Sequence, residues 1–252
     1  VTNRCAEAIL SARVARVTAT NKLSFPGAAA VHVWRASLEA GESEVAAHEA
    51  LLDEPERARA RRFHFERDRR RFTLARGLLR KLAGRYLDLE PAEIQFALGP
   101  HGKPLLAAPD QTLRFNLSHS GAQALFVFAP AREVGIDLEA GARLGDDWSG
   151  LARRIFSARE QAELAALPPE RRRDAFLNGW TRKEAYLKAT GQGLVNGLQQ
   201  IEVTLDSTRP PAFRSPELTA KWTMFDLREV AGVAAALVVE GDAAHIEVFS
   251  AA

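Results

Sequence analysis

Two carboxylates set two positions apart are the first residues in this chain that could do chemistry. In Val134-Gly-Ile-Asp-Leu-Glu139, the apolar Val134, Ile136 and Leu138 alternate with Gly135, Asp137 and Glu139, the period-two pattern of a half-buried β-strand. Asp137 and Glu139 then leave the same side of the strand, about 7 Å apart along it. Carboxylates so close repel unless a cation lies between them. A hard divalent cation such as Mg²⁺ fits, because it takes one or two protein carboxylates and keeps positions for phosphate and water. A solvated strand face with Lys or Arg for company fits the same residues. Trp180, Glu184 and Lys188 recur at i,i+4 spacing and share a helix face, where the plain reading of the last two is a surface ion pair. Ser118 and His119, in Phe115-Asn-Leu-Ser-His-Ser120, follow a strand and either supply hydroxyl and imidazole donors or are structural. In Gly102-Lys103-Pro104, glycine permits close backbone approach and Lys103 offers a point charge for phosphate; an exposed turn with a solvated lysine has the same tripeptide.

These residues need elements to position them. Val31–Trp34 reads as a short strand, Ser43–Leu52 as a helix ended before Pro55, and Glu56–Arg62 as helix, with Phe63 and Phe65 as core anchors. Asp68–Tyr86 is the clearest helix, with an apolar stripe of Phe72, Ala75, Leu78, Leu79, Leu82, Ala83 and Tyr86. Arg69, Arg76 and Arg80 share another of its faces, where like charges at i,i+4 cost roughly a few tenths of a kcal/mol unless anions offset them. Ile94–Leu98 is a strand, residues 99–104 are a loop by their Gly and Pro content, and Arg114–Leu117 and Leu125–Phe128 are strands. Beyond Val134–Glu139, Leu151–Phe156 is a short helix. Ser157 then caps a helix with Glu160 three residues on, a capping box, and Pro168-Pro169 stop it near Leu167. A longer helix covers Arg171–Ala189, and Ile201–Leu205, Lys221–Asp226 and Val233–Val239 are strands.

The order of elements repeats. Each half has an Arg-rich segment leading into a helix with an early Phe (Phe72, Phe176), then strands, then a closing apolar strand. The expected fold is α+β: two similar α/β halves related by pseudo-two-fold symmetry, residues 1–130 and 131–252, with a ligand cleft between them. Residues 1–24 read as a loosely held extension of the first half.

At 252 residues and 46% hydrophobic, 26% charged, the chain is ordinary for a globular protein. No apolar run approaches the roughly 20 residues that span a bilayer. The one cysteine, Cys5, excludes an internal disulfide and a Cys-based zinc site, and a reducing cytoplasm is expected. Net charge is only +2, yet Arg57–Arg85 carries twelve Arg or Lys against two acids. That imbalance points to an anionic partner or to a solvated helix face.

Taken together, FNLSHS at 115–120, VGIDLE at 134–139 and WTRKEA at 180–185 resemble the 4′-phosphopantetheinyl transferase superfamily, in its large two-halved, surfactin-synthetase-activating type. The resemblance spans about Arg57 to Val239. It implies transfer of the phosphopantetheine arm of coenzyme A to a serine of an apo acyl, peptidyl or aryl carrier protein, with release of adenosine 3′,5′-bisphosphate. It also implies Mg²⁺ held by Asp137, Glu139 and Glu184, with Lys103, Ser118 and His119 on coenzyme A phosphates. Arg57 and Arg71 would lie at the adenosine end, and Ala60 stands where some members keep a Lys. Glu160 matches the acidic residue proposed as base for the carrier serine, a metal-bound water being the other candidate. Lys183 and Lys188 match basic residues near the transferred phosphate. The family's small members share sites between subunits, so a duplicated chain is expected to act as a monomer, without nucleic acid or membrane. Two other readings differ in class: a nucleic-acid-binding module using the Arg57–Arg85 surface, whose binding would depend steeply on salt, and an inactive carrier-docking module indifferent to Mg²⁺.

Overall fold

Strands buried on both faces and two long helices with apolar stripes leave few ways to pack, and here they give four layers. This computed structural model describes residues 10–11, 22–107, 112–141, 145, 147–193, 197–242 and 245–251. The first half runs β1 (Leu10–Ser11), β2 (Ala30–Ser37), α1 (Glu42–Glu49), α2 (Glu54–Arg61), α3 (Glu66–Leu87), β3 (Phe96–Leu98), β4 (Pro104–Leu106), β5 (Leu113–Ser120) and β6 (Gln123–Pro130). The second runs β7 (Val134–Glu139), α4 (Trp148–Ile155), α5 (Ala158–Ala166), α6 (Pro169–Thr190), α7 (Pro216–Lys221), β8 (Trp222–Asp226), α8 (Arg228–Ala231), β9 (Ala234–Glu240) and β10 (His245–Ser250). Strands β1-β10-β2-β6-β5 form one sheet, β7-β9-β8 another, and β3-β4 a small hairpin.

Alternation along β2 shows how the layers arise. Val31 and Val33 meet Val134, Ile136 and Leu138 of β7 and Leu237 and Val239 of β9, so the two sheets pack face to face. Trp34 and Ala36 turn the other way, onto Leu74, Leu78, Leu79 and Leu82 of α3. Across the second sheet, Phe176, Ala185, Leu187 and Ala189 of α6 cover Ala234, Ala236 and Val238 of β9. Each such buried Leu, Val or Phe contributes about 1.5–3 kcal/mol.

The two halves repeat one topology. In β2-β6-β5 and in β7-β9-β8 the first strand of the half pairs antiparallel with the last, which pairs antiparallel with the one before it. Helices α3 and α6 both have 22 residues and end on a left-handed residue, Asp88 (φ 59°) and Gly191 (φ 68°). β10 departs from the repeat. It lies parallel to β2, Ile246 opposite Val31, so a division at 130/131 leaves the second half's last strand in the first half's sheet. β1 pairs with β10 in turn; Cys5 and the rest of the expected extension up to residue 21 lie outside the described residues.

Four local expectations are corrected. Phe65 is 61% exposed and Phe63 37%, because both sit in the turn between α2 and α3 and not on an apolar stripe; Phe63 rests against Phe72. Ile201–Leu205 forms a single bridge, Val203 to Phe213; Val203 gives its N–H to the Glu160 side chain instead of a ladder. α6 begins at Pro169, which is pre-set for the first turn of a helix. Lys221 ends α7 and β8 starts one residue later.

Candidate active site

The site begins with a contact that only glycine allows. A Cβ on Gly135 would stand 2.1 Å from the Ala185 carbonyl oxygen and 2.2 Å from the Ala189 nitrogen, so α6 can cross β7 here in direct backbone contact. Asp137 and Glu139 leave β7 on the same side as Gly135, beneath Glu184 and Lys188 of α6. Lys188 does not pair with Glu184 along the helix. Its Nζ lies 2.6 Å from Asp137 Oδ1 and 2.8 Å from Ser118 Oγ, and Ser118 donates to the same Asp137 oxygen at 2.9 Å. Glu139 accepts from Ser120 at 3.0 Å and from Trp180, the third residue of the helix face.

Two oxygens are left over. Asp137 Oδ2 and Glu184 Oε1 are buried without a hydrogen-bond partner, a costly arrangement for carboxylates. Burial, with Asp137 close by, pushes the Glu184 carboxyl up to about 7. Burial and then Asp137 also raise Glu139, against the pull of Ser120 and Trp180. Among the described residues no three His, Cys, Asp or Glu side chains stand in a ready metal-holding array, and Lys188 holds Asp137 Oδ1. The donor set nonetheless fits a hard divalent cation, with all-oxygen ligands, surplus negative charge and two oxygens lacking a partner.

β5 joins the halves through every second side chain. Asn116 Oδ1 accepts from the Ile136 N–H at 3.0 Å, Ser118 bonds Asp137, and Ser120 Oγ accepts from the Ala140 N–H at 3.1 Å. Phe115 and Leu113 face the α3 core. His119 is exposed and, with Ser118, lines a cleft of about 440 Å³. Glu184, Leu187 and Lys188 line this cleft from α6, Arg59, Phe72, Ala75 and Arg76 from α2 and α3, and His101–Pro104 from the loop between β3 and β4. That volume lies within the usual 300–1,000 Å³ of ligand sites.

Several expected assignments change on this geometry. Neither Arg57 nor Arg71 lines the cleft; Arg57 reaches back to the Ala50 carbonyl and Arg71 to Glu39. Arg59 and Arg76 are the arginines that do line it. Lys103 lines the cleft, but its Nζ is spent on Glu133 (2.6 Å), Ala189 O (2.8 Å) and Val134 O (3.4 Å), which uses all three ammonium hydrogens and leaves none for a phosphate. Lys183 is wholly buried and bonds Glu160 (2.5 Å), Ile155 O and Leu198 O, so it cannot reach a transferred phosphate. Glu160 is 0% exposed. Its oxygens serve the Ser157 N–H of the capping box, the Val203 N–H and Lys183, and it does not line the cleft.

The basic segment is equally committed. Arg80 is fully buried and bonds Asp53, Glu56, Pro91 O and Ile94 O. Arg76 also bonds Glu56 and lies on the Phe96 ring. Arg69 pairs with Glu66, Arg61 with Glu54, and Arg70 donates to Ala40 O. Glu56 and Asp53 are thus the anions that offset the arginine face of α3.

Comparison with known proteins gives the same answer along nearly the whole chain. Residues 34–130 match the family model "4′-phosphopantetheinyl transferase, N-terminal", and residues 133–238 match "4′-phosphopantetheinyl transferase superfamily". The 4′-phosphopantetheinyl transferase HetI of Nostoc sp. (strain PCC 7120) is 41% identical over 213 residues, 84% of this chain and 88% of that protein. This chain belongs to the 4′-phosphopantetheinyl transferase superfamily. Within it, the transferase Sfp of Bacillus subtilis (strain 168) is 29% identical over 169 residues, 67% of this chain and 73% of Sfp. AcpT of Salmonella typhi is 42% identical over 134 residues, 52% of this chain and 66% of AcpT. As a phosphopantetheinyl transferase, the protein moves the 4′-phosphopantetheine arm of coenzyme A to a carrier protein. None of these matches supports the nucleic-acid reading. Among the described residues no helix is long and apolar enough to cross a membrane.

Proposed function

We propose that the transfer takes place in the cleft between β5 and α6, onto a serine hydroxyl of an apo carrier protein, with Mg²⁺ as the metal. The observation that carries this reading is the pair of unpartnered carboxylate oxygens, Asp137 Oδ2 and Glu184 Oε1; Asp137 does not itself line the cleft, but Ser118 and Lys188, which do, both bond it. Asp137, Glu139 and Glu184 would hold the metal, which when bound supplies positive charge for the pyrophosphate oxygens. Lys188, Ser118 and His119 meet the phosphates from the protein side, and Arg59 and Arg76 take the adenosine end. The serine oxygen forms its bond to the phosphorus that carries pantetheine. The bond from that phosphorus to the departing adenosine 3′,5′-bisphosphate breaks. With Glu160 sealed in the core, Glu184 is the carboxylate we assign to take the serine proton. Lys188 steadies the charge that develops on the phosphate oxygens.

One chain contains both α/β units, which supports a monomer, and the single cysteine is in keeping with a cytoplasmic setting. Intact-protein mass spectrometry tests the reading. With coenzyme A and Mg²⁺ an apo carrier should gain one phosphopantetheine arm, whereas EDTA or a Ser→Ala carrier should abolish the gain. Fatty-acid, polyketide and peptide-synthetase carriers that all stay apo with folded enzyme would refute it.

A further inference from the structure

Lys103 and Glu133, the latter with its side chain 33% exposed, form a part-buried latch between three segments that meet at the cleft. Lys103 lies in the loop between β3 and β4. Its side chain is 9% exposed and reaches the Ala189 carbonyl in the last turn of α6, one residue after Lys188, where a cation complements the helix terminus. The same ammonium meets Glu133, the residue before β7, at 2.6 Å. Glu133 is itself anchored. Its other carboxylate oxygen accepts from Arg114 at 2.8 Å. Its backbone is tied to Glu240 on both sides, N–H to Oε2 at 3.1 Å and carbonyl to N–H at 2.9 Å. The chain after α6 packs onto the same loop: Gly191 (φ 68°) would place a Cβ 3.4 Å from Lys103 Cδ, and Gly193 (φ 66°) one 3.2 Å from His101 Cβ. A two-stranded sheet of three residues a side holds such a loop weakly by itself.

We propose that Glu133 is a positioning residue for the transfer. Acting through Lys103, it pins the His101–Pro104 loop to the end of α6 and so sets the span between the arginine end of the cleft and Lys188. The proposal deepens the cleft reading above and rests on it. A donor molecule that must touch both ends is bound well only when that span is right, and small misplacements are costly. The latch predicts a different pattern from a direct phosphate contact. A phosphate ligand discriminates between donors that carry or lack that phosphate; a strut weakens both alike.

The test compares Glu133→Gln, Lys103→Met and the double variant with the unaltered full chain. Each is assayed with Mg²⁺ and a carrier protein, using coenzyme A and 3′-dephospho-coenzyme A, and donor binding is also measured by calorimetry. Both single variants should raise KM for both donors by the same factor, about tenfold, with kcat changed much less. The double variant should be no worse than the singles, because one latch is lost once. Hydrogen exchange at the Gly99 and Gly102 amides, which close the loop onto Lys103 O and Gly99 O, should quicken in all three while the β6 amides stay protected. Selective loss with coenzyme A alone in Lys103→Met, with Glu133→Gln silent, would overturn the latch and make Lys103 a phosphate ligand. Additive losses, or unchanged exchange in a folded variant, would overturn it too. If the unaltered protein transfers nothing, the cleft reading fails, and the exchange measurement still decides whether the latch exists.

Discussion

Removing the Glu160 side chain separates a structural carboxylate from a catalytic one. Glu160 and Lys183 are both 0% exposed and 2.5 Å apart, and Glu160 also accepts from the Ser157 and Val203 amides. In Glu160→Ala the Lys183 ammonium keeps the Ile155 and Leu198 carbonyls but loses its counter-charge, and two backbone amides lose an acceptor. Breaking a buried pair by removing one partner costs about 3–5 kcal/mol, and the capping loss adds about 1 kcal/mol. In a protein of this size about 1 kcal/mol shifts Tm by roughly 2–4 °C, so Tm should fall by on the order of 10 °C or more. Glu160→Leu with Lys183→Met removes both charges and should recover much of that loss. Urea unfolding and thermal melts give the stabilities, and turnover is measured at low temperature where each variant is still folded. There, turnover per folded molecule should stay within a few-fold of the parent. A variant with parental Tm and turnover reduced by about 10³ or more, the scale of general-base loss, would refute the structural assignment and return Glu160 to the reaction.

Other consequences follow from the site. The Glu184 carboxyl titrates near 7 in the metal-free fold against 4.5 in the open chain. The folded state therefore binds more protons across that window, and stability in EDTA should fall as pH rises from about 4.5 to 7; Glu184→Gln should flatten the slope in urea midpoints, and an unchanged slope would show that Glu184 is not the group. Lys188 holds Asp137 Oδ1 at 2.6 Å, so Lys188→Met should bind Mg²⁺ several-fold tighter than the parent without coenzyme A while losing most turnover, and equal calorimetric affinities would contradict the counter-ion placement. Under the proposed metal site, Mg²⁺ should raise Tm in thermal melts and Asp137→Ala should abolish that rise; an equal rise in the variant would contradict Asp137 as a ligand. Gly135→Ala drives a methyl into the α6 backbone, so the urea midpoint should drop by more than that of an ordinary overpacked site, which loses about 1–3 kcal/mol.

The cluster of Asp137, Glu139, Glu184 and Lys188 was legible because its residues sit on regular elements. Period two put Asp137 and Glu139 on one side of β7, and i,i+4 spacing put Trp180, Glu184 and Lys188 on one face of α6; the fold then needed only Gly135 to bring the two together. The capping box at Ser157 and Glu160 was equally visible, since its partners are three residues apart. Lysines were harder to read. Lys103 and Lys183 bond backbone carbonyls at Ala189 and Leu198, which no side-chain pattern announces. The arginine end failed for a related reason: with so many basic residues between Arg57 and Arg85, only the orientations of α2 and α3 decide that Arg59 and Arg76 face the cleft.

The placement of β10 bears on how the chain comes to be folded at all. β2 has β6 on one side and β10 on the other, and β10 is the last strand of the second half to be made. A nascent first half emerging from the ribosome therefore presents β2 with one edge open, a template for strand pairing with other chains until residues 245–250 arrive. The second half, whose three strands are contiguous in the chain from β7 to β9, can complete its own sheet earlier. Vectorial synthesis thus finishes the amino-terminal sheet last, with a strand that the second half supplies.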